Sequence, residues 1–214
     1  MLHDLAFAIK VFAALFAIMN PIANIPVFLS LTDGATDAER RKVASTAALG
    51  VAVGCVVSAV AGGAILHMFG LTVDDFRIAG GLLVLLIALS MVHGSQSTQH
   101  AATSQEKASL ADSQAASMAV YPLTVPMLVG PGTVATLIVL GQEAAKTGRE
   151  VELATGLVAF LAVLTVALLV APLVGHFLSP KATAITQRLM GMILAAIAVQ
   201  MILAGLRTAL SLRG

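Results

Sequence analysis

The sequence predicts an all-α, polytopic membrane protein in which six transmembrane helices form two inverted three-helix repeats. Charged residues make up only 11% of the 214 residues and the mean hydropathy is +0.97, whereas a soluble domain carries about a quarter charged residues. Each charge-free run is close to or above the roughly 18 apolar residues that mark a transmembrane helix. Asp, Glu, Lys and Arg are absent from the six runs 11–32, 43–73, 78–105, 113–142, 153–180 and 189–206.

The runs predict helices rather than barrel strands, because they are continuous and rich in Leu, Val and Ala, while barrel strands alternate in polarity over short segments. We expect spans at 5–32, 44–69, 76–93, 116–141, 152–178 and 186–209. Such a chain is expected to be a multi-pass protein of a cell membrane, with the lipid bilayer as its first partner.

A polar segment divides the chain near its middle. Residues 94–115, rich in Ser, Gln and Ala, separate a first repeat, 1–93, from a second, 116–214. Three ordered matches relate the two at offsets of 109 to 111: Asn20-Pro21 with Gly130-Pro131, His67 with His176, and Arg77-x-x-Gly80 with Arg188-x-x-Gly191. Three spans is an odd number, so the second repeat is inverted relative to the first. Transporters built in this way bind their substrate near midplane, at the repeat interface.

The first span is interrupted by "NPIANIP", residues 20–26. Asn followed by Pro predicts the start of a helix, with Asn as the N-cap and Pro at the first helical position. Gly130-Pro131 predicts the same event in the fourth span, which also carries Pro122 and Pro126. Two spans are therefore expected to be broken at corresponding positions, and paired interrupted spans point to a binding site.

Broken helices in a membrane expose backbone groups that can bind a solute. The free N–H groups and positive dipole at a half-helix N-terminus suit a carboxylate, and freed carbonyls suit an ammonium group or Na⁺. No charged side chain occupies the central part of any span, and Lys10 is expected to extend towards the interface. This chamber suits a small neutral zwitterion.

The candidate substrate-binding residues surround the two breaks. They are Asn20, Pro21, Ala23, Asn24, Pro26, Pro122, Pro126, Gly130, Pro131, Gly132 and Thr133. Asn20 and Asn24 have two open interpretations, contact with the substrate or capping of the broken backbone alone. The stretches "AGGAI" and "AGGLL" (residues 61–65 and 79–83) predict close helix approach, as small residues allow in membranes.

The remaining composition excludes several partners. A net charge of +1 gives no reason to expect nucleic acid, and a single cysteine, Cys55, supports neither a disulfide framework nor a metal cluster. No cofactor or metal is expected, apart from a coupling ion, H⁺ or Na⁺. Arg40, Arg41 and Lys42 in the first loop favour the cytoplasm, which would place both termini outside.

The stretches "LFAIMNPIANIPVFLSLT" and "YPLTVPMLVGPGTVATLIVL" resemble the paired signatures of the MarC family, also called the SnatA or neutral amino acid transporter family. The likeness covers essentially the whole chain. It implies six transmembrane helices, residence in the bacterial inner membrane, and transport of small neutral amino acids such as glycine and alanine, in some members driven by protons. Ala23 stands where many relatives have glycine.

Three classes of function are compared. A transporter for small neutral amino acids agrees best with the paired breaks. The alternative is a passive channel or facilitator for small polar solutes, because paired half-helix starts also occur in aquaporin-like pores. An enzyme is not expected, since no carboxylate pair, His-rich motif or Ser/Lys dyad lies in the apolar runs. The sequence is compatible with a homo-oligomer. It does not specify the exact substrate, the direction of transport, the coupling ion or the oligomeric state.

Overall fold

The computed structural model describes residues 2–93, 124, 128–175 and 179–211, and these residues form seven helices and no strand. The connecting segment 94–115, together with Pro122 and Pro126, lies outside them. In chain order the helices are α1 (Leu2–Met19), α2 (Pro21–Leu31), α3 (Asp37–Met68), α4 (Val73–His93), α5 (Pro131–Thr147), α6 (Glu150–Val174) and α7 (Pro180–Ser211).

The described helices confirm an all-helical membrane protein. Four of them, α3, α4, α6 and α7, are long and apolar enough to cross a bilayer. Together α1 and α2 are also long and apolar enough, but they bend by 41° at their break, so the number of spans is five if this pair is one broken span and four if it is a re-entrant loop. Helix α5 has 17 residues and covers only the second part of the predicted fourth span. The first part of that span, 116–127, lies outside the described residues except for Thr124.

Helix boundaries differ from the apolar runs where polar residues extend a helix. Helix α3 begins at Asp37, seven residues before the predicted span at 44, because Thr36 forms a capping box with Glu39. The Thr36 side chain accepts from the Glu39 N–H at 3.3 Å, and Glu39 Oε2 accepts from the Thr36 N–H at 2.8 Å. Such a charged first turn extends the helix beyond its apolar stretch, and hydropathy does not detect it.

The helices of the first half pack mainly against those of the second half. The three most extensive pairs are α4 with α7, α1 with α6 and α3 with α5, whereas α3 and α4 scarcely touch. The largest buried side chains, such as Phe28 and Phe160, lie in this shared core. Many outward valines and leucines are exposed, for example Val60 at 76% and Val151 at 75%, as expected of a surface that faces lipid.

The bundle has two ends. At the first, which we call the terminal face, the start of α1 meets the end of α5, with Lys10 paired to Glu143. At the second, the loop face, Arg40 in the first turns of α3 and Pro172 near the end of α6 line one cavity. Helix α2 therefore runs from the break to the loop face, while α5 runs from its own break to the terminal face.

Glycines let the two halves approach closely, as the AGGAI and AGGLL stretches predicted. A Cβ atom on Gly62 would overlap the side chain of Ile138, and one on Gly81 would lie 3.0 Å from the Ala198 carbonyl oxygen. Between α1 and α6, a Cβ on Gly156 would come within 2.5 Å of the Ala8 carbonyl oxygen. These contacts leave no room for a side chain because the facing atoms belong to a neighbouring helix.

We expect Gly156→Leu to destabilise the bundle, because its side chain would meet the backbone of α1, which cannot move aside without separating α1 from α6. Overpacking of this kind costs about 1–3 kcal/mol. Thermal unfolding of the detergent-solubilised protein, followed by size-exclusion chromatography after heating, measures the effect. Ala159→Leu, on the exposed side of the same helix, is the matched control and should unfold like the wild type. Equal stability of the two variants would contradict the packing described here.

Candidate functional site at the paired helix breaks

Both predicted helix starts are present in the structure. Asn20 is the N-cap of α2, with Pro21 at its first position, and Gly130 is the N-cap of α5, followed by Pro131. The missing proline N–H costs nothing at these positions, since the first N–H groups of a helix have no partner within it. The predicted helix starts at Pro21 and Pro131 are therefore confirmed.

Asn20 holds the first break in a left-handed backbone conformation. Its φ of 37° and ψ of 72° make it the only non-glycine residue with positive φ in the described chain, and Asn tolerates this region better than most side chains. Its Oδ1 atom accepts from the Ala23 N–H at 3.3 Å. Its Nδ2 atom is buried and has no hydrogen-bond partner among the described residues.

The Asn24 side chain donates to two carbonyls at the break, one of which, that of Asn20, also accepts the Asn24 backbone N–H. Its Nδ2 group donates to the Met19 carbonyl at 2.5 Å and to the Asn20 carbonyl at 3.2 Å. Its Oδ1 atom is buried and has no partner within the described part of the chain. Asn20 and Asn24 are each only 1% exposed. Each amide therefore uses one of its two polar atoms to hold the break. The other atom, the Nδ2 donor of Asn20 and the Oδ1 acceptor of Asn24, has no partner among the described residues.

The second break is built differently. The Val129 N–H donates to the Thr124 carbonyl at 2.8 Å, and the chain is then extended at Gly130. The Thr133 hydroxyl donates to the Leu128 carbonyl at 2.9 Å. Gly130 has no side chain, so no side-chain cap covers the first N–H groups of α5.

The two breaks lie against each other although they are 110 residues apart. A Cβ atom on Gly132 would lie 2.9 Å from Ile18 Cδ1, in the last turn of α1, and 2.8 Å from Ile87 Cδ1 of α4. The absence of a side chain at Gly132 therefore lets the start of α5 approach the end of α1. This contact joins the regions that the sequence singled out separately.

The other predicted site residues are placed less centrally. Pro26 lies inside α2, is exposed and does not end the helix, so only Asn20-Pro21 breaks the first span. Pro131 is also exposed, and Ala23 is half-buried. Pro122 and Pro126 lie outside the described residues.

Two cavities flank the breaks, one towards each face. The smaller, about 110 Å³, lies towards the loop face. It is lined by Asn20, Ala23, Pro26, Val27, Met91, Thr183 and Gln187. The larger, about 560 Å³, lies between α1, α4, α5 and α7 at the terminal face, and we call it the vestibule. Its lining includes Lys10, Arg77, Thr136, Glu143, Gln200 and Arg207.

Sequence reasoning missed the vestibule. Lys10 was expected only to extend towards the interface, but its ammonium group binds both carboxylate oxygens of Glu143 at 2.8 Å. Arg77 pairs with Asp74 at 3.1 Å. The sequence signal that could have indicated this contact is the pair of opposite charges at the ends of two different spans, Lys10 in the first and Glu143 directly after the fourth. In the described residues, no three His, Cys, Asp or Glu side chains lie close enough together to hold a metal ion.

Comparison with known proteins agrees with this architecture. The family model described as MarC family integral membrane protein matches residues 5–210. A UPF0056 membrane protein of Methanocaldococcus jannaschii is 36% identical over 97% of this chain and 99% of its own length. No solved structure matches the chain.

Two bacterial proteins give the same result. The UPF0056 membrane protein YhcE of Escherichia coli is 34% identical over 92% of this chain and 91% of its own. The UPF0056 membrane protein YvbG of Bacillus subtilis is 33% identical over 94% of this chain and 95% of its own. With its apolar spans, the protein is a multi-pass protein of the cell membrane, and the chain belongs to the MarC family of integral membrane proteins.

Proposed function

We propose that this protein transports small neutral amino acids such as glycine and alanine, which it binds at the paired helix breaks. The observation that carries the proposal is the pair of buried amides at the first break. Asn20 leaves a donor unpaired and Asn24 leaves an acceptor unpaired. An amino acid zwitterion has a carboxylate that can accept from the donor and an ammonium group that can donate to the acceptor.

The unpaired atoms favour a bound solute energetically. A buried polar atom without a partner costs about 1–3 kcal/mol, and a solute that fills both hydrogen bonds removes that cost. The Asn20 Nδ2 donor, at the positive end of α2, would bind the carboxylate. The Asn24 Oδ1 acceptor would bind the ammonium group.

Size and charge restrict the solute further. The cavity next to Asn20 measures about 110 Å³, a few times the roughly 30 Å³ that one water molecule occupies in the liquid. None of its lining residues is charged. A second charge on the solute would lose its water without gaining a partner, so glutamate and lysine would be rejected.

An inverted repeat is part of the proposal, and the contact between α4 and α7 supports it. A Cβ on Gly81 would lie 3.0 Å from the Ala198 carbonyl oxygen, and one on Gly191 would lie 3.0 Å from the Ala88 carbonyl oxygen. Gly81 and Gly191 are 110 residues apart, as are Ala88 and Ala198. A pseudo-two-fold axis between α4 and α7 would map the contact of Gly81 with Ala198 onto the contact of Gly191 with Ala88. Such reciprocal contacts are typical of interfaces related by two-fold symmetry.

Alternating access is part of the proposal, and the unequal cavities support it. The vestibule of about 560 Å³ lies beside α5, and the cavity of about 110 Å³ lies beside α2. A pseudo-two-fold axis that exchanges the repeats would place a larger space at one face than at the other in each state. Rocking one repeat against the other would exchange these states around a fixed site.

The second candidate function is passive facilitation of small polar solutes, which the open vestibule also favours. Both candidates use the same breaks, and they differ in whether a gradient of a second ion moves the solute. The coupling ion, H⁺ or Na⁺, is part of the first candidate only.

We expect proteoliposomes that contain the purified protein to accumulate labelled glycine and alanine above the outside concentration when an H⁺ or Na⁺ gradient is imposed. Labelled glutamate and lysine should not enter, because the site offers no partner for a second charge. Uptake that only equilibrates would favour the facilitator. Absence of glycine and alanine movement under every gradient would refute both candidates.

Asn20→Gly should weaken glycine binding while the protein stays folded. Glycine adopts the positive φ of this position freely, and a glycine N-cap costs only a few tenths of a kcal/mol relative to Asn. Loss of one hydrogen bond to a charged group costs about 1.5–3 kcal/mol, so we expect KM for glycine to rise about tenfold or more. Ser30→Ala, on the exposed side of α2, is the control, and an unchanged KM in Asn20→Gly would show that Asn20 is only a cap.

A further inference from the structure

The vestibule is positively charged, unlike the breaks. Three cationic side chains line it, Lys10, Arg77 and Arg207, against the single carboxylate of Glu143. Lys10 is occupied by Glu143, and Arg77 by Asp74, which lies next to the cavity. In the part of the chain that the structure describes, Arg207 has neither an ion pair nor a hydrogen bond.

A buried hydroxyl in the same wall also lacks a partner. Thr136 of α5 is 3% exposed and lines the vestibule, and its Oγ1 atom has no hydrogen-bond partner among the described residues. Threonine hydroxyls inside helices commonly donate to the carbonyl four residues earlier, as Thr165 and Thr155 do here. Thr136 makes no such bond, so its buried hydroxyl has an unused donor beside the vestibule.

We propose that the vestibule is a second binding site, for the carboxylate group of a small solute, in which Arg207 and Thr136 supply the donors. A guanidinium group binds a carboxylate through two parallel hydrogen bonds, and the hydroxyl adds a third donor. The excess of positive charge excludes cations and raises the local concentration of anions. This site is distinct from the breaks, and it stands whether or not the solute goes on to cross the membrane.

Its charge selectivity can be measured with a cysteine in the vestibule wall. Ala204 lines the cavity on α7, three residues before Arg207, and the single native thiol, Cys55, is fully buried. In uncharged detergent, which removes lipid headgroups, Ala204→Cys is treated with sulfonatoethyl or trimethylammonioethyl methanethiosulfonate. The rate of each reagent with the protein thiol is divided by its rate with 2-mercaptoethanol, which corrects for the different intrinsic reactivities of the two reagents.

We expect the anionic reagent to react about tenfold faster than the cationic one, in the range that charged clefts produce, and Arg207→Gln to remove most of this preference. Leu206→Cys, on α7 but outside the vestibule lining and 40% exposed, is the control and should show no such preference. Equal normalised rates for the two reagents at Ala204→Cys would overturn the proposal.

Protection identifies the ligand class. Acetate should slow the modification of Ala204→Cys, and Thr136→Val should weaken this protection while the preference for the anionic reagent persists. Methylammonium should not protect. Protection by inorganic phosphate but not by acetate would overturn the carboxylate assignment, and so would no protection by either. Glycine uptake is measured separately, so acetate protection without uptake would support this site and refute only the proposed transport.

Discussion

The constraint on which the rest of the structure depends is that no peptide group can be left without a partner in lipid. A helix that stops at Met19 and restarts at Pro21 deprives the Met19 carbonyl of its helical partner, since the Ala23 N–H binds the Asn20 side chain instead, and the amide of Asn24 donates to that carbonyl. That amide must itself be shielded, and both asparagines are almost completely buried. The break is thus stable only because other helices enclose it, and α6 and α7 of the second half pack against α2.

The interface between the halves therefore serves as core and site together. Glycines bring the helices close enough for the facing backbones to touch. The start of α5 contacts the end of α1, beside the irregular backbone at Asn20 and Gly130. Polar atoms are concentrated there, whereas the outer surface carries valines and leucines. One interface thus provides the van der Waals packing that membrane helices need and a polar interior that lipid does not reach.

Local sequence signals predicted the four long apolar helices and the helix starts at Pro21 and Pro131, because charge-free runs and an N-cap followed by proline act within a few residues. They did not predict that α2 continues through Pro26, since that depends on how α2 is packed. They also missed the vestibule, because Lys10 and Glu143 are 133 residues apart and only the tertiary fold brings them together. The unpaired Nδ2 atom of Asn20 and Oδ1 atom of Asn24 depend on side-chain geometry in the folded protein, which the spacing of residues in the sequence does not determine.

The pairing of α4 with α7 has a consequence for how the protein is made. Helix α4 ends at His93, and its main partner begins only at Pro180. Membrane helices are inserted in order during synthesis, so α4 waits in the bilayer with Gly81 facing lipid until the last helix leaves the translocon. The packing of α4 is therefore complete only once α7 has been made, and a nascent chain that stops before α7 has no closed core.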